Sequence, residues 1–318
     1  YKGADVMDGS QEALETISKG ISENGVTAYL PTTMTMEMQM IEKALDQVAI
    51  YMKEEDNVGA MVLGVHLEGP FINESYKGAQ SALNILKGDR NILEKYKDLS
   101  QVVTFAPEVE GNMDLVEEFC SYMNFSIGNS GADFDTAMKA YKKGAWGATH
   151  LFNAMTGIHH REPGVVGAVL SSESYAELIA DKFHVNPGLF PMLAKAKGLE
   201  KLLLITDCMR AGSLPEGKYD LGGQEVFMRN NQCLLEDGTI AGSVLKLNEG
   251  LKNFYENIDC ELADLIPMVT CNPAKYLGME DKIGYISEGK LANITVLDKD
   301  FKVRKTIVKG NLVYENQL

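Results

Sequence analysis

Lys201-Leu-Leu-Leu-Ile-Thr-Asp-Cys-Met-Arg-Ala-Gly212 is an apolar run that stops abruptly on Asp207. Its aliphatic residues, bounded by Lys201 and Thr206, read as a strand buried on both faces, as in parallel sheets flanked by helices. A carboxylate at the carboxyl end of such a strand is costly to desolvate unless its charge is used, and in parallel α/β folds that end gathers ligands and chemistry. The competing reading is an Asp that caps the next helix or fixes a turn. What weighs against it is how many other strands end on a polar residue.

Working backwards, strands are expected at 26–30, 61–66 (running on into Leu67-Glu68), 102–105, 124–127 (followed by Gly128-Asn129-Ser130), 148–152 and 176–180 (followed by Asp181). Helices are expected at 11–24 behind a Ser10 cap, at about 36–56, and around Met138 and Tyr141. Strand and helix alternate seven times, which implies parallel strands with right-handed crossovers, hence a doubly wound sheet or a (β/α) barrel. Glu68, Asn129, His150, His184 and Asp207 all sit at or just beyond strand ends, and one barrel rim gathers them where a single crevice would not. The expected organisation is a (β/α) barrel over 1–216, a β insertion at 217–245, barrel-closing helices at 246–281 and a small partial β-sandwich at 282–318.

Composition limits the function. The chain has 318 residues, 45% hydrophobic and 24% charged, as in globular proteins. A formal charge of −15 argues against nucleic acid as a partner, since phosphate-backbone binding needs clustered Lys and Arg. Five widely spaced cysteines without a CxxC pair point to reduced thiols and a cytoplasmic location, and the absence of a long apolar run argues against a membrane span.

Glu68 and His150 on one rim begin a divalent-metal site, and Asp207 adds the carboxylate base of metal-assisted hydrolysis. Gly157-Ile-His-His-Arg-Glu-Pro-Gly164 is an irregular loop in which Arg161 either reads an anionic group such as phosphate or is simply solvated.

The strings GVHLEGPF (64–71), THLFNAM (149–155), HHREPGV (159–165), ITDCMRAG (205–212), DGTIAGS (237–243) and CNPAKYLG (271–278) resemble the N-acetylglucosamine-6-phosphate deacetylases of the amidohydrolase superfamily. The likeness runs over essentially the whole chain. It implies a metal-dependent-hydrolase TIM-like (β/α) barrel with a small β-sandwich, a homodimer, and hydrolysis of N-acetylglucosamine 6-phosphate to glucosamine 6-phosphate and acetate. By the resemblance, Glu68 and His150 bind a divalent ion, zinc first and iron or another ion as alternatives. Asp207 is the catalytic acid/base, and Gln80, Asn153, Ala154, Arg161 and His184 contact the substrate.

Two departures stand out. The family has GHS or GHT where this chain has Gly128-Asn129-Ser130, so a third metal ligand becomes a carboxamide. Tyr1 also begins just after the position of the first barrel strand, so the expected barrel lacks that strand and the chain reads as a fragment or as awaiting a partner. The alternatives are a sugar-phosphate-binding homologue with impaired catalysis, or an amidohydrolase with another substrate.

Overall fold

The computed structural model describes residues 1–54 and 58–316. Strand β1 (Ala28–Tyr29) pairs in parallel with β2 (Met61–Val62). Then β3 (Val65–Glu68), β4 (Ser100–Phe105), β5 (Asn124–Ile127), β6 (Gly147–Ala148), β7 (Tyr175–Ile179) and β8 (Leu202–Ile205) form one parallel sheet in chain order. Just beyond β1, His66 N donates to Pro31 O (3.1 Å) and Thr33 N to His66 O (3.0 Å), laying residues 31–33 along β3. The six-stranded parallel sheet curls as a half-barrel, and among the described residues no strand joins β8 back to β1.

Among the described residues ten α-helices separate or follow these strands: α1 (Gln11–Ser22), α2 (Met38–Tyr51), α3 (Arg90–Lys95), α4 (Asn112–Phe119), α5 (Phe134–Lys143), α6 (Gly164–Leu170), α7 (Phe190–Lys197), α8 (Leu247–Tyr255), α9 (Leu262–Leu265) and α10 (Cys271–Tyr276). The expected helix at 36–56 is observed as α2, and residues 55 and 56 lie outside the described residues. Strand periodicity of two divides the sheet into faces. Val65, Leu67, Val103, Phe105, Phe125, Ile127, Ala176 and Leu178 join the main apolar core with residues of the helices, among them Leu45, Val116, Val166 and Leu193. The opposite face, with His66, Glu68, Thr149 and Glu177, lines the interior.

The strand expected at 148–152 ends already at Ala148. The backbone turns there because His150 and Phe152 take left-handed φ values of 36° and 77°, which breaks the pleat. Of the expected barrel-closing helices, the one over 261–276 is not a single helix. Pro267 and Pro273 each lack an N–H donor, and a break at Thr270 (φ −134°, ψ −88°) separates a 3-10 turn at 266–269 from α10.

Two antiparallel sheets complete the chain. In β9 (Gly217–Leu221), β10 (Gln224–Arg229) and β11 (Gln232–Leu234) the turns are Gly222-Gly223 and Asn230-Asn231, all four residues with positive φ, as two-residue hairpins require. Its Val226, Met228 and Cys233 pack on Met209 and Ala211 of the loop after β8, so this sheet backs the Asp207 loop. In β12 (Ile294–Leu297), β13 (Val303–Val308) and β14 (Asn311–Glu315), Thr295 Oγ1 donates to Gly25 O (2.6 Å) and Thr306 Oγ1 to Ser22 O (2.7 Å), docking the sheet on the end of α1. Residues 317 and 318 of the expected C-terminal β portion lie outside the described residues. No helix among the described residues is long and apolar enough to cross a membrane.

Candidate active site

A cavity of about 1190 Å³ opens at the carboxyl ends of the strands and extends along the inner face towards the free edge of β8. This is above the roughly 300–1,000 Å³ common for ligand pockets. Its wall has a polar end, where Glu68, Gln80, Asn129, His150, Asn153, Ala154, His184 and Asp207 meet. The other end is apolar, lined by Leu30, Leu63, Leu203, Leu277 and Ile294. Eight of the nine residues singled out from sequence thus share one wall. Arg161 does not: it is exposed on the loop before α6, paired with its neighbour His160 at 2.7 Å.

The backbone that carries this wall is strained. Asn129, His150, Ala154 and Asp207 adopt φ values of 47°, 36°, 49° and 48°, a region that Asn and Asp enter more readily but that costs His150 and Ala154 about 1–2 kcal/mol each. Such strain persists only where neighbouring contacts over-determine it, and it collects at functional sites. Around Asp207 those contacts are visible. Ser243 N donates to Asp207 O at 2.8 Å, Met209 N donates to Ser243 O at 3.0 Å, and Ser243 Oγ donates to Thr206 O. The DGTIAGS segment therefore clamps the catalytic candidate from outside the barrel.

Glu68 Oε1 and His150 Nε2 stand 3.5 Å apart, with side chains 12% and 8% exposed. That is long for a hydrogen bond and close to the separation of about 3.4 Å between two ligands of one tetrahedral zinc with bonds near 2.0–2.2 Å. Asn129 supplies a second sign of fit. Its Nδ2 donates to Tyr76 O (3.2 Å) and Lys77 O (3.3 Å), while its Oδ1 is buried without a hydrogen-bond partner. Among the described residues, no three His, Cys, Asp or Glu side chains cluster as a metal site, so an ion here would draw on Glu68, His150, the Asn129 carbonyl oxygen and water.

Gln80 is 8% exposed and both ends of its amide are taken: Oε1 accepts from Thr35 N at 2.7 Å and Nε2 donates to Glu68 Oε1 at 3.0 Å. It holds Glu68 in place. His184 is oriented in the same way, with Nδ1 2.6 Å from Asp181 Oδ2 and its N–H donating to Asp181 Oδ1 at 2.8 Å. Asn153 spends its Nδ2 on His150 O and Leu151 O at 3.1 and 3.2 Å.

Burial governs the electrostatics. It pushes the Asp207 carboxyl up, helped by the nearby Glu68 charge, and drives His66 down to about 4. Burial also opposes a charge on His150, yet the adjacent Glu68 carboxylate brings the imidazole up to about 9. Desolvation likewise disfavours the Glu68 anion, but His150 holds its carboxyl below the usual range.

Three features escaped the sequence reading. Glu177, the middle residue of β7, is a buried carboxyl raised to about 8, chiefly by desolvation. A chain of side chains crosses the interior, from His66 Nε2 to Thr104 Oγ1 (2.6 Å), on to Thr149 Oγ1 (2.7 Å) and Ser126 Oγ (2.7 Å). Glu108 accepts from Ser130 Oγ and Asn73 Nδ2, both at 2.8 Å, and steadies the loop after Asn129. The signal for Glu177 and Glu108 was a carboxylate in or just after a buried strand.

The sequence matches the model of the amidohydrolase family over residues 10–313. It is 39% identical to the N-acetylglucosamine-6-phosphate deacetylase of Bacillus subtilis over 98% of this chain and 81% of that protein. To the N-acetylgalactosamine-6-phosphate deacetylase of Escherichia coli O157:H7 it is 34% identical, over 98% of this chain and 83% of that one. The crystal structure of N-acetylglucosamine-6-phosphate deacetylase from Thermotoga maritima superimposes with a TM-score of 0.92 at 32% identity, covering 99% of this chain and 85% of that chain.

Proposed function

The chain belongs to the amidohydrolase family, and from that premise we propose that it hydrolyses the acetamide of N-acetylglucosamine 6-phosphate to glucosamine 6-phosphate and acetate, in amino-sugar catabolism. The observation that carries this reading is the convergence of Glu68 and His150, 3.5 Å apart, with Asp207 on one cavity wall. It is supported by relatives of that activity at 33–39% identity.

A divalent ion held by Glu68 and His150, with zinc or iron the first candidates, would polarise the scissile carbonyl and its attacking water. Asp207 takes the proton of that water as oxygen bonds to the acyl carbon. It returns the proton to nitrogen as the C–N bond breaks, so the amine leaves neutral. A carboxyl raised by burial is suited to carrying a proton between the two steps. His184, locked by Asp181, orients the substrate. Asn153 and Ala154 contact the sugar phosphate, and Gln80 acts on the substrate through Glu68.

Arg161 lies off the cavity wall, and in this proposal it reaches the phosphate in a neighbouring protomer's pocket across a homodimer interface. The five free cysteines suit a reducing cytoplasm.

The test is release of amine from N-acetylglucosamine 6-phosphate by the purified chain, with and without added divalent metal, beside its 4-epimer. Metal-dependent release from the gluco substrate is expected. Release from the galacto epimer alone would reassign the sugar. Binding of the sugar phosphate without release at any metal concentration would favour a non-catalytic binding protein, the reading that Asn129 motivates.

A further inference from the structure

Resting on the deacetylase reading, we infer that Asn129 Oδ1 is the third protein ligand of the ion, and that this Glu/His/carbonyl set narrows the preference for zinc, making manganese(II) or iron(II) a competitive occupant. The orientation of the amide carries the argument. Nitrogen and oxygen of a carboxamide are hard to tell apart by shape, but here two backbone carbonyls, Tyr76 O and Lys77 O, lie 3.2 and 3.3 Å from one end, and only the NH₂ can donate to both. The oxygen is thereby fixed on the other side.

Asn129 is 2% exposed, and Oδ1 is buried without any hydrogen-bond partner, a situation that costs about 1–3 kcal/mol unless something else uses the lone pairs. Asn129 also lines the cavity with Glu68 and His150. A buried, unpartnered acceptor lining the same cavity as a carboxylate and an imidazole spaced as co-ligands is what a hard cation completes.

The donor set decides the ion. A neutral carbonyl oxygen is a harder and weaker donor than imidazole, so it sacrifices more zinc affinity than manganese affinity. Zinc still follows manganese upward in the general affinity order, but by a smaller margin here than a Glu/His/His set would give. Whichever ion binds, Gln80 Nε2 holds Glu68 Oε1 at 3.0 Å and keeps that oxygen in position.

The experiment titrates metal-free protein with manganese(II), followed by the electron paramagnetic resonance of the free ion, and with zinc(II) against a chelator of known affinity. It compares the wild type, Asn129→His and Asn129→Ala, with thermal unfolding of the metal-free forms to confirm folding. Asn129→Ala is expected to lose about tenfold or more of its manganese affinity, and Asn129→His to gain about 10–100-fold in zinc affinity with a smaller change for manganese. Unchanged affinities in both variants overturn the assignment, as does a gain in Asn129→His that is equal for the two ions. The outcomes separate the two readings. Variant-sensitive metal binding without amine release leaves the ligand assignment standing and removes the deacetylase, whereas turnover with variant-insensitive binding does the reverse.

Discussion

Asp207 stands at the end of an apolar strand because four aliphatic residues leave it nowhere to turn but the cavity, and burial then raises its carboxyl. Asp207→Asn keeps the shape and removes the proton carrier, so kcat is expected to fall by about 10²–10⁴ with the sugar phosphate still bound. Steady-state amine release and calorimetric binding read the two effects, and a fall of less than tenfold would remove Asp207 from the proton path. Glu177 makes a different prediction. Its carboxyl, raised from the ordinary value to about 8 by burial, binds a proton in the folded state that the unfolded chain releases above its own pKa. Stability from this group is therefore fully present below about pH 4.5 and is lost as pH rises through about 8, amounting to on the order of 3–5 kcal/mol. Glu177→Gln, neutral at every pH, should match the wild type near pH 5 and exceed it by a growing margin towards pH 9. Urea midpoints at both ends of that range would show it, and parallel curves would mean Glu177 ionises freely.

At the scale of elements, the seam between α6 and α7 depends on one amine. Lys197 is 6% exposed and its Nζ donates to Val169 O (2.7 Å) and Ser172 O (2.8 Å), satisfying carbonyls at the end of α6. Lys197→Met fills the same space but takes the amine from Ser172 O, while Val169 O keeps the N–H and hydroxyl of Ser172 (3.3 and 3.2 Å), and a loss of about 1–3 kcal/mol is expected in denaturant unfolding. The sheet of β9–β11 acts at the same scale, because its core grips Met209 and Ala211 and Ser243 pins Asp207 O. Ser243→Ala removes the hydroxyl bond to Thr206 O, which positions Asp207 without touching substrate. A drop of about 10-fold in kcat, recovered by Ser243→Thr, would mark a positioning role, while equal activity in both would remove it.

For the whole molecule, the exposed Arg161 and the cavity it fails to line pose the question of the second protomer. Arg161→Ala should raise KM for the phosphorylated substrate about tenfold or more and leave that for N-acetylglucosamine unchanged. Mixing inactive Asp207→Asn with Arg161→Ala should restore low-KM turnover in the hybrids, since one pocket of each hybrid then holds an intact Asp207 and receives an intact Arg161. No restoration, with a monomer on light scattering, would place the phosphate contact within one chain.

The sequence by itself determined the alternation of strand and helix and the polar residues at strand ends, because a strand buried on both faces is apolar throughout and Glu68 and Asp207 interrupt that rule. It also exposed Asn129 as a departure from the family pattern. Only the tertiary structure decided where β6 stops, that Gln80 serves Glu68, that Arg161 stands apart from the pocket and which way the Asn129 amide points. The side-chain assignments for Gln80 and Asn129 depend on partners distant along the chain: Thr35 for Gln80 and the carbonyls of Tyr76 and Lys77 for Asn129. Local patterns of hydrophobicity carry no information about which buried lone pair goes without a donor, and that is settled only when the strands are brought side by side.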